Sequence, residues 1–130
     1  MRVLVFGTFD ELHPGHHYVL KQALKRGELH VIVARDTNVR RIKGRDAMQN
    51  QDERIAAIRE AFPDAHVALG DPTDFRAPLA AIQPDLVLLG YDQKLPPGVS
   101  PDDIHCAIER LPAFKPTKYK SSLLRQSKDK

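Results

Sequence analysis

The chain has 130 residues, of which 42% are hydrophobic and 28% are charged, and its formal net charge is +3. This length and composition predict one soluble domain with a buried core, and the small, dispersed charge excess argues against a nucleic-acid partner. The single cysteine, Cys106, excludes an intrachain disulfide and argues against a metal site built on thiolates. No apolar stretch is long enough to cross a membrane and no signal peptide precedes the first strand, so we expect a cytoplasmic protein.

The start of the chain has the pattern of a strand, a helix and a second strand. An apolar run at residues 3–6 predicts a buried strand that ends at Gly7. A helix is expected over residues 15–26, with Pro14 in its first turn. A β-branched run at residues 29–34 predicts a second buried strand. This order and spacing are typical of a parallel βαβ unit.

The rest of the chain continues the alternation of helices and strands. We expect a polar loop at residues 35–50, a helix at 52–62, a strand at 66–69, a short helix through 79–82 capped by Thr73 or Asp74, a strand at 86–89, a helix at 101–110 capped by Ser100, and an edge strand at 111–114. Cys106 is expected to be a small core residue on the last of these helices.

This alternation predicts an α/β fold. We expect a Rossmann-like, doubly wound parallel sheet of about five strands, with helices on both faces, in a single domain. The domain is expected to span residues 1–126, and residues 127–130 to form a polar C-terminal tail.

The turn after the first strand is the best candidate for an anion site. Gly7 stands where the backbone needs a conformation that glycine adopts easily, and Thr8 and Asp10 can satisfy backbone groups of the turn. His13 and His16 share one face at a helix start, where the helix dipole also attracts anions, so both can reach one phosphate. The structural alternative is that these histidines only cap the helix, with His13 bound to a backbone carbonyl.

Residues 7–16, GTFDELHPGH, resemble the GTFDxxHxGH signature of the cytidylyltransferase-like nucleotidyltransferases. The resemblance implies that His13 and His16 contact the triphosphate of a nucleotide and that Mg²⁺ accompanies that nucleotide. The other signature residues are then expected to bind the nucleotide: Gly7, Thr8, Phe9, Asp10 and Gly15.

Two later loops are expected to reach the same site, because each leaves the carboxyl end of a strand. Lys43 lies in a lysine–glycine–arginine stretch that relatives carry, which favours phosphate binding over a merely solvated loop. For Arg45 both interpretations stay open. Residues 90–93, GYDQ, resemble archaeal-type FAD synthases, which implies that Tyr91 and Asp92 bind the nucleotide. Asp92 would accept a hydrogen bond from the ribose or base, and the alternative is a turn-forming aspartate.

A serine-rich stretch near the end of the chain completes the resemblance. Residues 120–125, KSSLLR, match in outline a late motif of the superfamily. Ser121 and Ser122 at a helix start can clamp a phosphate, and Arg125 can add a fork of donors over the same turn. The alternative is an ordinary capped helix.

These residues together predict a nucleotidyltransferase. It would transfer a nucleoside monophosphate from a nucleoside triphosphate, with ATP favoured, to a phosphate monoester such as FMN, and release pyrophosphate. The residues expected to act in catalysis are His13, His16, Lys43 and Arg125, with no protein-built metal site.

Two alternative functions stay open. One is a glycerol-3-phosphate cytidylyltransferase that uses CTP, and the other is a nucleotide-binding module without catalysis. The expected partners are a nucleoside triphosphate and a small phosphate monoester, with no nucleic acid and no membrane, and we expect a homodimer.

Overall fold

The computed structural model describes residues 1–113. Its helices and strands are β1 (Arg2–Gly7), α1 (Pro14–Arg26), β2 (Glu28–Val33), α2 (Asp36–Lys43), α3 (Gln51–Ala61), β3 (His66–Leu69), α4 (Ala77–Ile82), β4 (Leu86–Leu89) and β5 (Ala107–Arg110). The strands form one parallel sheet in the order β3-β2-β1-β4-β5. The predicted five-stranded, doubly wound α/β fold is confirmed.

The core lies on both faces of this sheet, because alternate side chains of each strand point to opposite faces. On one face, Val5 and Val31 pack with Leu20 of α1 and Ile58 of α3. On the other face the buried side chains include Leu4, Phe6, Ile32, Val87 and Ile104, with Leu79 of α4 packed against them. Since both faces are covered, the central strands read in the sequence as continuous apolar runs.

The prediction of a loop throughout residues 35–50 is wrong, because the chain forms α2 there. This helix ends at Lys43, and the next residue, Gly44, caps it in the left-handed conformation with φ +74°. Its buried side chains are Asn38 and Val39, whereas Ile42 is exposed. This eight-residue helix contains two apolar residues, Val39 and Ile42, which are too few to mark a helix by its apolar periodicity.

The predicted helix over residues 101–110 is also wrong. A single 3-10 turn, Pro101–Asp103, is closed by the Asp103 carboxylate, which accepts from Ser100 N–H at 2.9 Å. The chain then extends and pairs with β4, so the fifth strand lies at Ala107–Arg110 rather than at residues 111–114. Cys106 is not on a helix. It is half-buried in the segment before this strand, where it packs against the core on the same face of the sheet as Leu4 and Val87.

The start of α4 differs from the prediction as well. The residue before its first turn is Arg76, and no side chain caps the helix. The Asp74 carboxylate instead accepts from Arg76 N–H at 2.9 Å, and Arg76 is the residue before the helix begins. Over residues 1–113, no helix is long and apolar enough to cross a membrane.

Candidate functional site

A cleft of about 820 Å³ opens where β1 and β4 end. Open parallel sheets bind their ligands outside the carboxyl ends of strands, so this is the expected place for a site. It is lined by every predicted site residue that falls in the described part of the chain: Gly7, Thr8, Phe9, Asp10, His13, Gly15, His16, Lys43, Tyr91 and Asp92. Ser121, Ser122 and Arg125 lie outside the described residues. A second cleft, of about 530 Å³ between α4 and the segment before β5, contains none of these residues.

The two histidines both cap α1 and leave one ring nitrogen each for a ligand. His13 is the cap residue, and its Nδ1 accepts from Gly15 N–H at 3.1 Å. His16 Nδ1 accepts from His13 N–H at 3.3 Å. A backbone N–H can only donate, so both Nδ1 atoms are unprotonated and each neutral ring carries its hydrogen on Nε2. Capping therefore fixes the tautomer that offers two N–H donors, and His13 binds a backbone N–H rather than a carbonyl.

The two rings also hold each other in place. His13 and His16 stack with their centroids 3.6 Å apart and their planes 21° apart. The buried ring of Phe9 meets His16 edge-on, with centroids 5.3 Å apart. These two ring contacts restrict the rotation of the His16 ring, so its Nε2–H is held in position before any ligand binds.

The pKa of His16 is lowered from 6.5 to about 4, chiefly because its ring is partly buried. The positive charge that His13 carries when protonated acts in the same direction, followed by those of protonated His17 and of Lys43, while the Asp10 carboxylate opposes them. At neutral pH, His16 is therefore an uncharged hydrogen-bond donor.

We expect a proton NMR titration of the His16 ring to show a midpoint near pH 4, with His16→Asn used to assign the resonance. The folded-state pKa is below the unfolded value, so the unfolded chain takes up this proton first as the pH falls. The free energy of unfolding should therefore decrease from pH 6.5 towards pH 4, and His16 should contribute no such loss above pH 6.5. A midpoint near 6.5 would show that the ring is not held in a partly buried site.

The turn before α1 needs glycine at position 7 for space and not for its backbone conformation. A Cβ added at Gly7 would lie 2.6 Å from Phe9 Cε2, far inside van der Waals contact. The positive φ angles of this turn fall on Phe9 (56°) and Glu11 (52°) instead. The conformational role predicted for Gly7 is therefore wrong, and its role is to let the Phe9 ring lie against the strand end.

Replacing Gly7 by alanine should lower the free energy of unfolding by about 1–3 kcal/mol, because the Phe9 ring must move out of its buried position. Gly70→Ala is the matched control, since its added Cβ would meet nothing closer than 3.4 Å. Urea denaturation of both variants measures the difference. Equal stability of the two would mean that the Phe9 ring can shift at no cost.

Asp10 satisfies backbone groups, but not those of its own turn. Its two carboxylate oxygens accept from Met48 N–H at 2.8 Å and Gln49 N–H at 2.9 Å, in the segment between α2 and α3. Burial opposes ionisation, but these two hydrogen bonds prevail and lower the pKa of Asp10. Asp10 thereby ties the signature turn to the segment that follows Lys43.

Arg54 holds the same junction together, a role that we did not predict from the sequence. Its side chain is 0% exposed and donates to the carbonyls of Thr8 (2.8 Å), Ala34 (2.9 Å) and Gln49 (3.1 Å). Its remaining nitrogen, Nη2, lies 2.7 Å from the Asp36 carboxylate. One guanidinium thus joins the loops after β1 and β2 to the start of α3.

The loop after β4 is held in place by Gln93 and Arg110, neither of which we predicted as a site residue. Gln93 Nε2 donates to Phe6 O at 2.8 Å, and its Oε1 accepts from Gly90 N–H at 3.0 Å. Arg110 Nη1 donates to the carbonyls of Gly90, Tyr91 and Gln93 at 2.7–3.3 Å. These bonds leave the side chain of Tyr91 exposed at the cleft.

The basic side chains of the cleft lie at its rim. Lys43 is the last residue of α2, and both it and Arg45 are exposed. Lys43 lies near enough to both His16 and Asp10 to lower their pKa values. Arg45, for which the sequence left two interpretations open, lines the cleft with Lys43 and Lys94. The described part of the cleft therefore combines the imidazole donors of His13 and His16 with exposed cations, which suits a polyanionic ligand.

Comparison with known proteins agrees with this geometry. The model of the cytidylyltransferase-like family matches residues 4–127. The FAD synthases of Methanosphaerula palustris and Methanoculleus marisnigri are 43% and 47% identical over 99 and 94 residues, which are 75% and 72% of this chain. This chain spans only 63% and 62% of their length. The FAD synthase of Halorubrum lacusprofundi is 37% identical over 129 residues, 95% of this chain and 82% of that protein.

A solved structure shares the fold. The lipopolysaccharide core biosynthesis protein from Thermoplasma volcanium superposes with a TM-score of 0.76 at 33% identity, over 88% of this chain and 98% of that one. Fold and cleft define a Rossmann-like α/β protein in which two histidines cap the helix that follows the first strand. The chain belongs to the cytidylyltransferase-like family.

Proposed function

We propose that this chain is an FMN adenylyltransferase, which transfers AMP from ATP to the phosphate of FMN and so forms FAD and pyrophosphate. The observation that carries the proposal is the pair of Nε2–H donors at the start of α1, fixed in tautomer and position by backbone hydrogen bonds. Both donors open into the cleft that Lys43 and the loop after β4 also line. The FAD synthases among the relatives supply the choice of substrates.

The proposed reaction is an in-line displacement at the α-phosphorus of ATP. A bond forms between an oxygen of the FMN phosphate and this phosphorus, while the bond from the phosphorus to the oxygen bridging to the β-phosphate breaks. Pyrophosphate leaves with that electron pair. The attacking phosphate monoester is already anionic at neutral pH, so the step needs no general base, which agrees with a cleft that offers donors and cations.

His13 and His16 are proposed to donate to the α- and β-phosphate oxygens, where negative charge grows in the transition state. Such preorganised donors are worth most when they need not reorient during the reaction. Lys43 is proposed to hold the acceptor phosphate or the leaving pyrophosphate, and Asp92 to accept from the ribose or base.

Enzymes of this kind generally use a divalent metal ion, and we propose that it enters as the magnesium complex of ATP. Among the described cleft residues, the carboxylates are those of Asp10 and Asp92. Both oxygens of Asp10 already accept backbone N–H groups. The triphosphate oxygens and water are therefore the natural ligands of the magnesium ion.

For Ser121, Ser122 and Arg125, the proposed role is to bind the β- and γ-phosphates of the triphosphate.

The second candidate is cytidylyl transfer to a small alcohol phosphate such as glycerol-3-phosphate. The solved neighbour favours keeping it, because that protein is a lipopolysaccharide core biosynthesis protein rather than a flavin enzyme by name. Of the phenylalanine and tyrosine side chains that line the described cleft, Phe6 and Phe9 are buried and Tyr18 is half-buried, so Tyr91 is the exposed one that could stack on a flavin.

Pyrophosphate release tests both candidates in one assay. The protein is incubated with Mg²⁺ and either ATP or CTP, each with FMN or glycerol-3-phosphate. We expect turnover with ATP and FMN, with FAD identified by its mass. Turnover only with CTP and glycerol-3-phosphate would establish the second candidate. Nucleotide binding without pyrophosphate release in any combination would show a binding module.

A further inference from the structure

A cluster of three metal-binding side chains lies far from the cleft, at the opposite end of the sheet. Glu28 and His30 are two residues apart on β2 and therefore share one face of the sheet. His30 and His66 are register partners on the adjacent parallel strands β2 and β3. All three lie at the amino ends of these strands, whereas the nucleotide cleft lies at the carboxyl ends.

The side chains of this cluster converge on one point. His30 Nε2 lies 2.5 Å and His66 Nε2 lies 3.9 Å from the same oxygen of Glu28. The two imidazole rings stack with their centroids 4.6 Å apart and their planes 13° apart. The three ligand atoms all lie within 4.8 Å of one another, and no other such group of three occurs within residues 1–113.

We propose that Glu28, His30 and His66 bind a divalent transition-metal ion of the zinc class. Zinc takes imidazole nitrogen and carboxylate oxygen at about 2.0–2.2 Å, so ligand atoms in a tetrahedral site lie about 3.3–3.5 Å apart. The half-buried His30 supplies a fixed ligand, and small rotations of the exposed Glu28 and His66 side chains bring the other two atoms to that spacing. Three protein ligands leave a fourth position for water.

The donor set determines the class of metal. Two imidazoles and one carboxylate suit zinc and its neighbours cobalt, nickel and copper, while calcium and magnesium prefer sites made of oxygen alone. Arg2 is the register partner of Glu28 and the nearest cation on the neighbouring strand. Its guanidinium donates to Ile82 O at 2.8 Å, which leaves the Glu28 carboxylate accessible to a metal ion. A metal held here joins the edge strand β3 to β2, and its distance from the cleft separates it from the proposed reaction.

Two measurements with Zn²⁺ alone test this site: calorimetry monitors its binding, and thermal unfolding measures the change in melting temperature. Wild-type protein should bind Zn²⁺ saturably and gain melting temperature, because the ion binds the folded pair of strands. His66→Ala and Glu28→Gln should each weaken this binding about tenfold or more and abolish the gain in melting temperature. Both residues are exposed, so the variants should fold.

Two controls separate this cluster from other histidines. His105→Ala removes an exposed histidine elsewhere, and the double variant His13→Asn/His16→Asn removes the pair in the cleft. Both should keep the zinc equivalent that His66→Ala loses. The proposal is overturned if wild-type protein shows no saturable binding, if His66→Ala binds as many equivalents as tightly as wild type, or if only the double variant loses zinc.

Discussion

Replacing His16 by alanine should lower the rate of nucleotidyl transfer about 100-fold or more, because it removes a preorganised donor to the phosphate on which charge develops. His16 has two separable roles. Its Nδ1 accepts from His13 N–H and caps α1, and its Nε2–H opens into the cleft. A loss of activity in the alanine variant alone therefore does not say which nitrogen matters.

Asparagine and glutamine separate the two roles. The amide of His16→Asn can take the place of Nδ1 and keep the cap, but it does not reach the position of Nε2. The longer His16→Gln places an amide N–H near that position and gives up the near acceptor. If the distal donor carries catalysis, glutamine should retain more activity than asparagine, while asparagine should retain more stability.

The measurements are the rate of pyrophosphate release under saturating substrates and the free energy of unfolding in urea. Activity that follows stability across these variants, with asparagine the more active, would assign His16 a capping role only. His105→Ala is the control for loss of an imidazole outside the cleft and should have the wild-type rate.

Replacing Arg54 by leucine should lower the free energy of unfolding by about 3–5 kcal/mol, the largest effect on stability that we expect. The substitution leaves the carbonyls of Thr8, Ala34 and Gln49 without their buried donor. A buried acceptor that loses its partner costs its full desolvation penalty, and here three lose it together. The Asp36 carboxylate also loses its guanidinium partner.

Arg54→Lys tests whether the fork or only the charge is needed. An ammonium carries the same charge but cannot reach carbonyls on three separate segments, so lysine should recover only part of the loss. Arg59→Ala is the matched control on the same helix. Arg59 is exposed and donates one hydrogen bond, to Val67 O at 3.1 Å, so Arg59→Ala should lower the free energy of unfolding by less than about 1 kcal/mol. If Arg54→Leu also lowers it by less than about 1 kcal/mol, water replaces the guanidinium.

Most of the fold could be predicted because its central strands are buried on both faces. Such strands appear as short, continuous apolar runs, and β1, β2 and β4 lie within a residue of the predicted limits. The cleft residues could be predicted for a related reason. A parallel sheet brings the segments that follow its strands to one edge, so placing the strands also placed the signature, Lys43 and Asp92.

The errors fell where local pattern does not determine structure. The helix α2 contains two apolar residues, and its buried Asn38 is held by a contact to Asp71 O, more than 30 residues away. The segment at residues 101–110 has helical propensity and a cap at Ser100, but pairing with β4 extends it into β5. Tertiary contacts override local propensity in both cases.

The supports of the site were missed because they join distant parts of the chain. Arg54 binds the carbonyls of Thr8, Ala34 and Gln49, and Arg110 binds the loop after β4. In the sequence each is an ordinary charged residue in a polar stretch. Only the folded chain shows that these charges are engaged by backbone groups rather than by solvent or ligand.

A crystal structure with magnesium and a non-hydrolysable ATP analogue tests the central claim most directly. Phosphate oxygens of the analogue should lie within hydrogen-bond distance, about 3 Å, of Nε2 of both His13 and His16. A triphosphate bound elsewhere, such as in the cleft beside α4, or bound at the α1 start with both Nε2 atoms turned away from it, would contradict the account.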